Sequence, residues 1–387
     1  MEYRQFLQIP GPTNIPDRIL RELSRPMINH RGPELKKLVA EVVEGLKEVF
    51  RTNNDILIFP SSGSGVLESA IANLFSPGDT VVCASIGVFS ERMATIAERY
   101  KLNVKRIKKE WGKTITPEDV KEVLKKDKGK VIKAVIVPHN ETTTGVTCDI
   151  EGISKIIKEM DHPALFIVDA VSSLAITKLE TDAWNIDVVI TASQKGLMLP
   201  PGMGLVSISS KGWEYYKEST MPRWYWDYKA VKDKIKANQF PYTPPTTLLF
   251  GLKEALNMLL EEGMERVWER HGVIAKAVRN SVRAMGLELL ADEKDASNVV
   301  TAVKLPESIN YKDLSELLRK KYNVVIGGGL GQLEGKIFRI GHLGAISYLD
   351  VYAVMGAVEM ALYELGYKLK LGEASKILAE TFVNIVL

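Results

Sequence analysis

DTVVCAS (79–85), VFSERMATIAERY (88–100), VKRIKKE (104–110), TPEDVKEVLKK (116–126) and KAVIVPHN (133–140) follow one another along the chain. The first and last are short apolar runs, as strands buried on both faces require. The second and fourth carry apolar residues at helical spacing, and the third alternates like a strand. Strands alternating with helices predict a largely parallel sheet covered on both sides. The pattern continues through DIEGISKIIKEM (149–160), a helix with Asp149 as its N-cap, and then ALFIVDA (164–170), DVVITAS (187–193) and GLVSIS (204–209). Upstream, PELKKLVAEVVEGLKEVFR (33–51) has helical periodicity and opens on Pro33, a good first-turn residue.

Downstream the character changes. LKEALNMLLEEG (252–263) and MERVWERHGVIAKAVRNSVRAMG (264–286) read as long helices. Shorter alternating pieces follow: SNVVTAVKLP (297–306), YKDLSELLRKKY (311–322), NVVIGGG (323–329) and KIFRIGHLG (336–344). The expected fold class is α/β, with a large domain and a smaller C-terminal α+β domain behind a connecting helix. The expected division is an N-terminal arm over 1–20, a large domain over 21–265 and a small domain over 266–387.

The 387 residues suit two packed domains. Hydrophobic residues make up 45% and charged residues 26%, near the average for globular proteins. No run approaches the roughly 20 apolar residues of a membrane helix. The opening MEYRQFLQIPGPTNIP lacks the layout of a secretory signal. A net charge of +3, from 51 basic and 48 acidic residues, gives no case for nucleic acid. KKDKGK (125–130) reads as a solvated turn. Cys83 and Cys148 are too few for a disulfide framework or a zinc site, so a cytoplasmic location is expected.

Ligands of open α/β sheets sit beyond the carboxyl ends of the strands. Three positions there carry chemistry. SSGSGVLESA (61–70) follows the apolar ILIF (56–59) and opens a helix, whose free N–H groups could bind phosphate with help from the Ser62 and Ser64 hydroxyls. Alone, it is equally an ordinary capped helix start, and it lacks the Lys-Ser/Thr of a P-loop. Asp169 ends ALFIVDA, where a buried carboxylate needs a partner. A protonated pyridine nitrogen is one such partner; a helix cap or a metal would also serve. Lys195, in SQKGLMLPPGMG (193–204), stands at the mouth of the sheet, where desolvation favours Schiff-base chemistry. A single Lys usually means only solubility, but this one has the Gly/Ser turn and the strand-end Asp169 for company.

VDAVSSL (168–174) followed by TASQKGLMLPPGMG (191–204) resembles the class V aminotransferases, which are fold-type I pyridoxal 5′-phosphate (PLP) enzymes. Within them it looks most like the alanine–glyoxylate and serine–pyruvate or serine–glyoxylate branch. PGPTNIP (10–16), SGSGVLESA (62–70), NETTTGV (140–146), TPPTT (243–247) and FRIGHLG (338–344) agree in order. The resemblance implies a mainly parallel seven-stranded sheet and ping-pong transamination, in which Lys195 forms the aldimine with PLP and shuttles the proton. It implies that Asp169 holds the pyridine nitrogen protonated, and that Ser62, Gly63, Ser64 and Gln194 hold the phosphate. Thr142 would reach the phenolic oxygen, Phe89 would stack on the ring and Arg339 would clamp the substrate carboxylate. Thr243 would reach the phosphate of a neighbouring subunit, which implies a homodimer with shared sites. Two departures stand out. Phe240 occupies a position where the family often has an aromatic hydroxyl, which Tyr242 could replace. Phe89 stands where the family often has Trp, and so lacks the indole N–H.

Other chemistries fit less well. Neither cysteine sits in the late loop that a cysteine desulfurase would need. A nicotinamide-dependent dehydrogenase would need G-x-G-x-x-G after the first strand. Aminotransferases for phosphonate or ureido substrates, and a subunit that kept the fold without turnover, stay open. His30, His139 and His342 read as structural, Met198 and Met203 as packing, and GGGLG (327–331) as a flexible turn near the Arg339 strand. WYWDY (224–228) could line the substrate entrance or a dimer interface, or simply be buried.

Overall fold

The computed structural model describes residues 5–384; the first four residues of the expected arm and the last three of the expected small domain lie outside them. In chain order the strands are β1 (Phe6–Gln8), β2 (Asp55–Ser61), β3 (Thr80–Ser85), β4 (Asn103–Lys108), β5 (Ile132–Pro138), the short pair β6 (Asn140–Glu141) and β7 (Val146–Thr147), β8 (Leu165–Asp169), β9 (Val188–Ala192), β10 (Gly202–Ile208), β11 (Val300–Lys304), β12 (Val324–Gly328) and β13 (Ile337–Gly341).

The large sheet has seven strands in the order β2-β10-β9-β8-β5-β3-β4. Only β10 runs against its neighbours, β2 and β9; the other pairs are parallel. Its central strands β8 and β9 are buried almost throughout, which is why they read as unbroken apolar runs. Helices cover the sheet. The helix Pro33–Phe50 turns Leu35, Leu38, Val39, Val42, Leu46, Val49 and Phe50 inward at intervals of three and four. Burying each of its large apolar side chains contributes roughly 1.5–3 kcal/mol. Arg51, at φ 55°, ends the helix in a left-handed turn. Caps set the other boundaries: Asp149 accepts from Gly152 N, and Thr116 and Asp119 cap each other around the helix Pro117–Lys126.

A second sheet has the order β1-β12-β13-β11 and packs under the helices Met264–Ala284, Tyr311–Lys321, Tyr348–Glu364 and Glu373–Val383. The helix Met264–Ala284 serves both cores: Val267 and Trp268 pack in the first, Ile274, Val278 and Val282 in the second. The division we propose at 265/266 falls in its first turn. The N-terminal strand joins the second sheet, with Phe6 beside Val324 in parallel pairing. No helix among the described residues is long and apolar enough to cross a membrane.

The glycine run needs a correction. Gly327 and Gly328 are not in a flexible turn; they end β12, opposite Arg339 and Phe338. Other groups lie directly on their backbone. A Cβ on Gly327 would come within 2.9 Å of Pro10 Cδ, and one on Gly328 within 2.7 Å of the Tyr311 ring. His342 is fully buried, between the Thr301 hydroxyl at 2.9 Å and the Asn298 carbonyl at 3.1 Å. Met198 and Met203 are buried in the main core. The aromatic run divides. Trp226 and Tyr228 pack on Phe59, whereas Trp224 is 75% exposed.

Candidate active site

Asp169 is the last residue of β8, and the turn carrying Lys195 leaves the end of the adjacent β9. The helix Gly63–Leu74 starts against them: a Cβ on Gly63 would lie 3.1 Å from Val171 and 3.5 Å from Ala192. A bulkier residue at Gly63 would therefore hold the helix start away from the strand ends. A helix leaves its first N–H groups unpaired. Here Gly65 N finds Ser62 Oγ at 3.3 Å and Val66 N finds the Ser62 carbonyl at 3.2 Å. The earlier pair, on Gly63 and Ser64, has no partner among the described residues.

The N-terminal segment forms the opposite wall. Thr13 N donates to the Gln194 carbonyl, and the Thr13 hydroxyl donates to the Lys195 carbonyl. The Lys195 amine donates to the Pro10 carbonyl. Gly11, at φ +110°, lies flat on the lysine, and a Cβ there would come within 2.5 Å of Nζ. Only glycine tolerates both that backbone and that approach.

The electrostatics are unusual for an Asp and a Lys. Asp169 keeps an edge open to the cleft, but the surrounding protein desolvates its carboxyl and pushes it up to about 6. A hydrogen bond from Val171 N at 2.9 Å, and the charges of Arg92 and Lys195, offset part of that. Burial brings Lys195 down to about 8; the Arg339 cation adds to this and Asp169 opposes it. Both groups can therefore change protonation near neutral pH, the condition for acid–base work.

Arg339 lies in β13 and is buried. Its Nε donates to the Gly328 carbonyl at 2.8 Å and one terminal nitrogen donates to the Thr142 carbonyl at 2.9 Å. These bonds aim the guanidinium while leaving it no carboxylate partner among the described residues. Thr142 follows β6, whose Glu141 is fully buried and accepts from Ser90 N at 2.8 Å and Thr143 N at 3.0 Å. Glu141 thereby fixes the start of the helix Val88–Arg99, which carries Phe89.

Gln194 has a buried amide oxygen with no partner among the described residues. Thr243 stands exposed in the loop before the helix Thr246–Glu262 and makes no hydrogen bond to the other site residues of its own chain. Phe240 is buried in the main core, and the Tyr242 hydroxyl donates to the Trp224 carbonyl at 2.6 Å. The structure thus gathers Asp169, Lys195, Gln194 and Gly63 with its neighbours Ser62 and Ser64, and brings Arg339 to Thr142.

Three features fit PLP. A desolvated carboxyl stands ready for the ring nitrogen, unpaired helix N–H groups suit a phosphate, and the amine lies at the cleft mouth. Sequence reasoning missed Gly11, Glu141 and Arg92. The readable signal for Arg92 was its spacing, one helical turn after Phe89 and so on the same face. The other two lie in PGPTNIP and NETTTGV, segments that carry the family resemblance, but nothing in those segments shows what the two residues touch.

A family model described as aminotransferase class-V matches residues 6–334. The chain is 40% identical over 376 residues to the serine–glyoxylate aminotransferase of Methylorubrum extorquens, covering 95% of this chain and 94% of that one. It is also 40% identical over 367 residues to a protein named soluble hydrogenase, small subunit, of Synechococcus sp. PCC 6716, covering 95% of each chain. The crystal structure of ureidoglycine–glyoxylate aminotransferase from Bacillus subtilis superposes with a TM-score of 0.94 at 30% identity, covering 99% of both chains.

Proposed function

The chain belongs to the class-V aminotransferases, PLP-dependent enzymes of amino-group transfer, and we propose that it moves the amino group of alanine or serine to glyoxylate or pyruvate. When bound, PLP supplies a covalent amine carrier and an electron sink. The observation that carries the reading is the Lys195 amine, brought down to about 8 within electrostatic reach of both Asp169 and Arg339. Lys195 holds or releases a proton at Nζ near neutral pH, which makes it the base for the substrate α-proton. Asp169 anchors the ring nitrogen. Ser62, Gly63, Ser64 and Gln194 hold the phosphate, Thr142 meets the phenolic oxygen and Phe89 covers the ring. Arg339 takes the substrate carboxylate with the donors its carbonyl partners leave free, since a planar fork suits that group. The glyoxylate-linked names of the relatives support the acceptor.

The purified protein with PLP is expected to show a visible cofactor band that L-alanine or L-serine bleaches and glyoxylate or pyruvate restores. In Arg339→Lys, the donor concentrations for half-bleaching are expected to rise together by about 10-fold or more, the effect of losing one charged hydrogen bond. A band that no amino acid alters would end the reading. A role as a subunit without turnover, suggested by the hydrogenase-subunit name, leaves the shifted protonation of Lys195 and Asp169 without a use.

We also propose a homodimer in which Thr243 reaches the partner's phosphate. Its support is that Thr243 is exposed, and that the neighbouring Tyr242 packs on Trp224, an aromatic side chain that a monomer would leave in water. Light scattering is expected to give twice the chain mass; a monomer with full activity would refute it. A cytoplasmic location is supported by two cysteines that are free and buried.

A further inference from the structure

We propose that Arg92 is a phosphate-side cation of the cofactor site, binding the PLP phosphate together with the start of the helix Gly63–Leu74 and holding the Phe89 ring in place. The inference rests on the reading of that helix start as the phosphate cradle. Other half-buried or buried arginines have their charge or donors taken up: Arg223 donates to the Ser219 hydroxyl and to the Tyr216 and Met221 carbonyls, and three others have carboxylate partners. Arg106 pairs with Glu91 and Glu98, Arg270 with Glu262, and Arg279 with Glu293. Arg92 has none among the described residues, and its neighbour Glu91 is committed to Arg106 and the Ser85 hydroxyl. Its partners are the Ser64 hydroxyl at 2.9 Å and the Phe89 ring, whose centroid lies 4.9 Å from the guanidinium carbon.

Ser64 sits in the first turn of its helix, where the unpaired N–H groups make a positive pole. A guanidinium held one hydrogen bond from that pole is a like-sign approach. It repels unless an anion lies between the two, and an unpaired, partly desolvated charge is costly in itself. A phosphate dianion resolves both problems, because it accepts from the helix N–H groups and from the planar guanidinium together. The same guanidinium lies against Phe89, so the group that neutralises the phosphate also fixes the ring that covers the cofactor.

The test compares two aldehydes on the apoprotein, PLP and dephosphorylated pyridoxal, by fluorescence titration. Arg92→Gln is expected to weaken PLP by about 10- to 100-fold, the range for lost charged hydrogen bonds, and to leave pyridoxal within about twofold. Arg92→Lys keeps the charge and is expected to lose less than Arg92→Gln. Inorganic phosphate is expected to compete with PLP in the wild type and to compete less well in Arg92→Gln. Equal weakening of both aldehydes would overturn the proposal and make Arg92 a support for Phe89 alone. Unchanged PLP affinity with a raised KM for L-aspartate would also overturn it, assigning the guanidinium to a substrate side-chain carboxylate. Failure of the wild type to bind either aldehyde would instead sink the cofactor reading beneath it. Thermal melts of both variants separate loss of the phosphate contact from loss of the fold.

Discussion

Lys195→Ala is expected to lower the turnover of transamination by at least ~10⁴-fold, the upper range for loss of a positioned proton carrier. Asp169 is committed to the ring nitrogen in this reading and cannot take over the proton transfer. An arginine guanidinium carries only donors, so neither Arg92 nor Arg339 can accept the proton. The His139 ring is buried and held down to about 4 by desolvation, so it is neutral and sealed from the site. The fold should survive, because burying the Lys195 ammonium opposes folding. Its value drops from the ordinary 10.5 to about 8. Between those values the unfolded chain binds the extra proton and the folded one does not, so the Lys195 contribution to wild-type apoprotein stability rises with pH across that window. Below it the fold carries the full cost. Buried Cys83 and Cys148, pushed up to about 12, lower the stability of both proteins above pH 9, so melting curves read the rise as the difference: wild-type stability relative to Lys195→Ala is expected to increase from pH 8 to 10.5. Near-normal turnover in the variant would sink the mechanism.

Some of this was legible in the sequence for a physical reason. A strand buried on both faces is uncharged to its end, so the first charged residue after it, Asp169 after LFIV or Lys195 after VVITASQ, marks the mouth of the sheet. Helix ends were legible where a side chain does the capping, as at Asp149. What long-range packing decides was not. β1 pairs with β12 across more than 300 residues, and nothing near Phe6 indicates Val324. Gly327 and Gly328 resemble loop glycines because the groups that require them, Pro10 and the Tyr311 ring, come from elsewhere. Arg92 reads as one more cation on an amphipathic helix. Periodicity gives its face, but only the tertiary fold puts Ser64 opposite. Thr243 shows a further limit: a residue whose proposed work lies in another subunit has no signature in its own fold.

Asp169→Asn is expected to separate activity from stability most sharply, lowering turnover by about 10³-fold or more while making the apoprotein more stable at pH 8. The loss follows from the ring nitrogen: an amide offers no negative charge to keep it protonated, and removing a preorganised electrostatic partner costs about 10²–10³ before the weakened electron sink is counted. The gain follows from the protons. The carboxyl rises from 3.8 in the unfolded chain to about 6 in the fold, chiefly by desolvation. Between those values the folded chain holds a proton the unfolded one has lost, so the Asp169 contribution to stability falls as pH rises through the window. Above pH 6 the full cost is present, and a shift of about two units corresponds to at most roughly 3 kcal/mol. Asn has nearly the same shape and can still accept from Val171 N, but carries no charge to desolvate. Buried His139, His271 and His342 make both proteins gain stability as pH rises toward 6.5, so the Asp169 contribution is read as the difference: wild-type stability relative to the variant is expected to fall between pH 4 and 6.5, and the variant's melting point at pH 8 to lie several degrees above that of wild-type apoprotein. With PLP added, the order should reverse, because only the wild type has a cation to meet its carboxylate. A variant that is both inactive and less stable than wild type without cofactor would mean that Asp169 is a structural carboxylate. A variant with full turnover would remove it from the site.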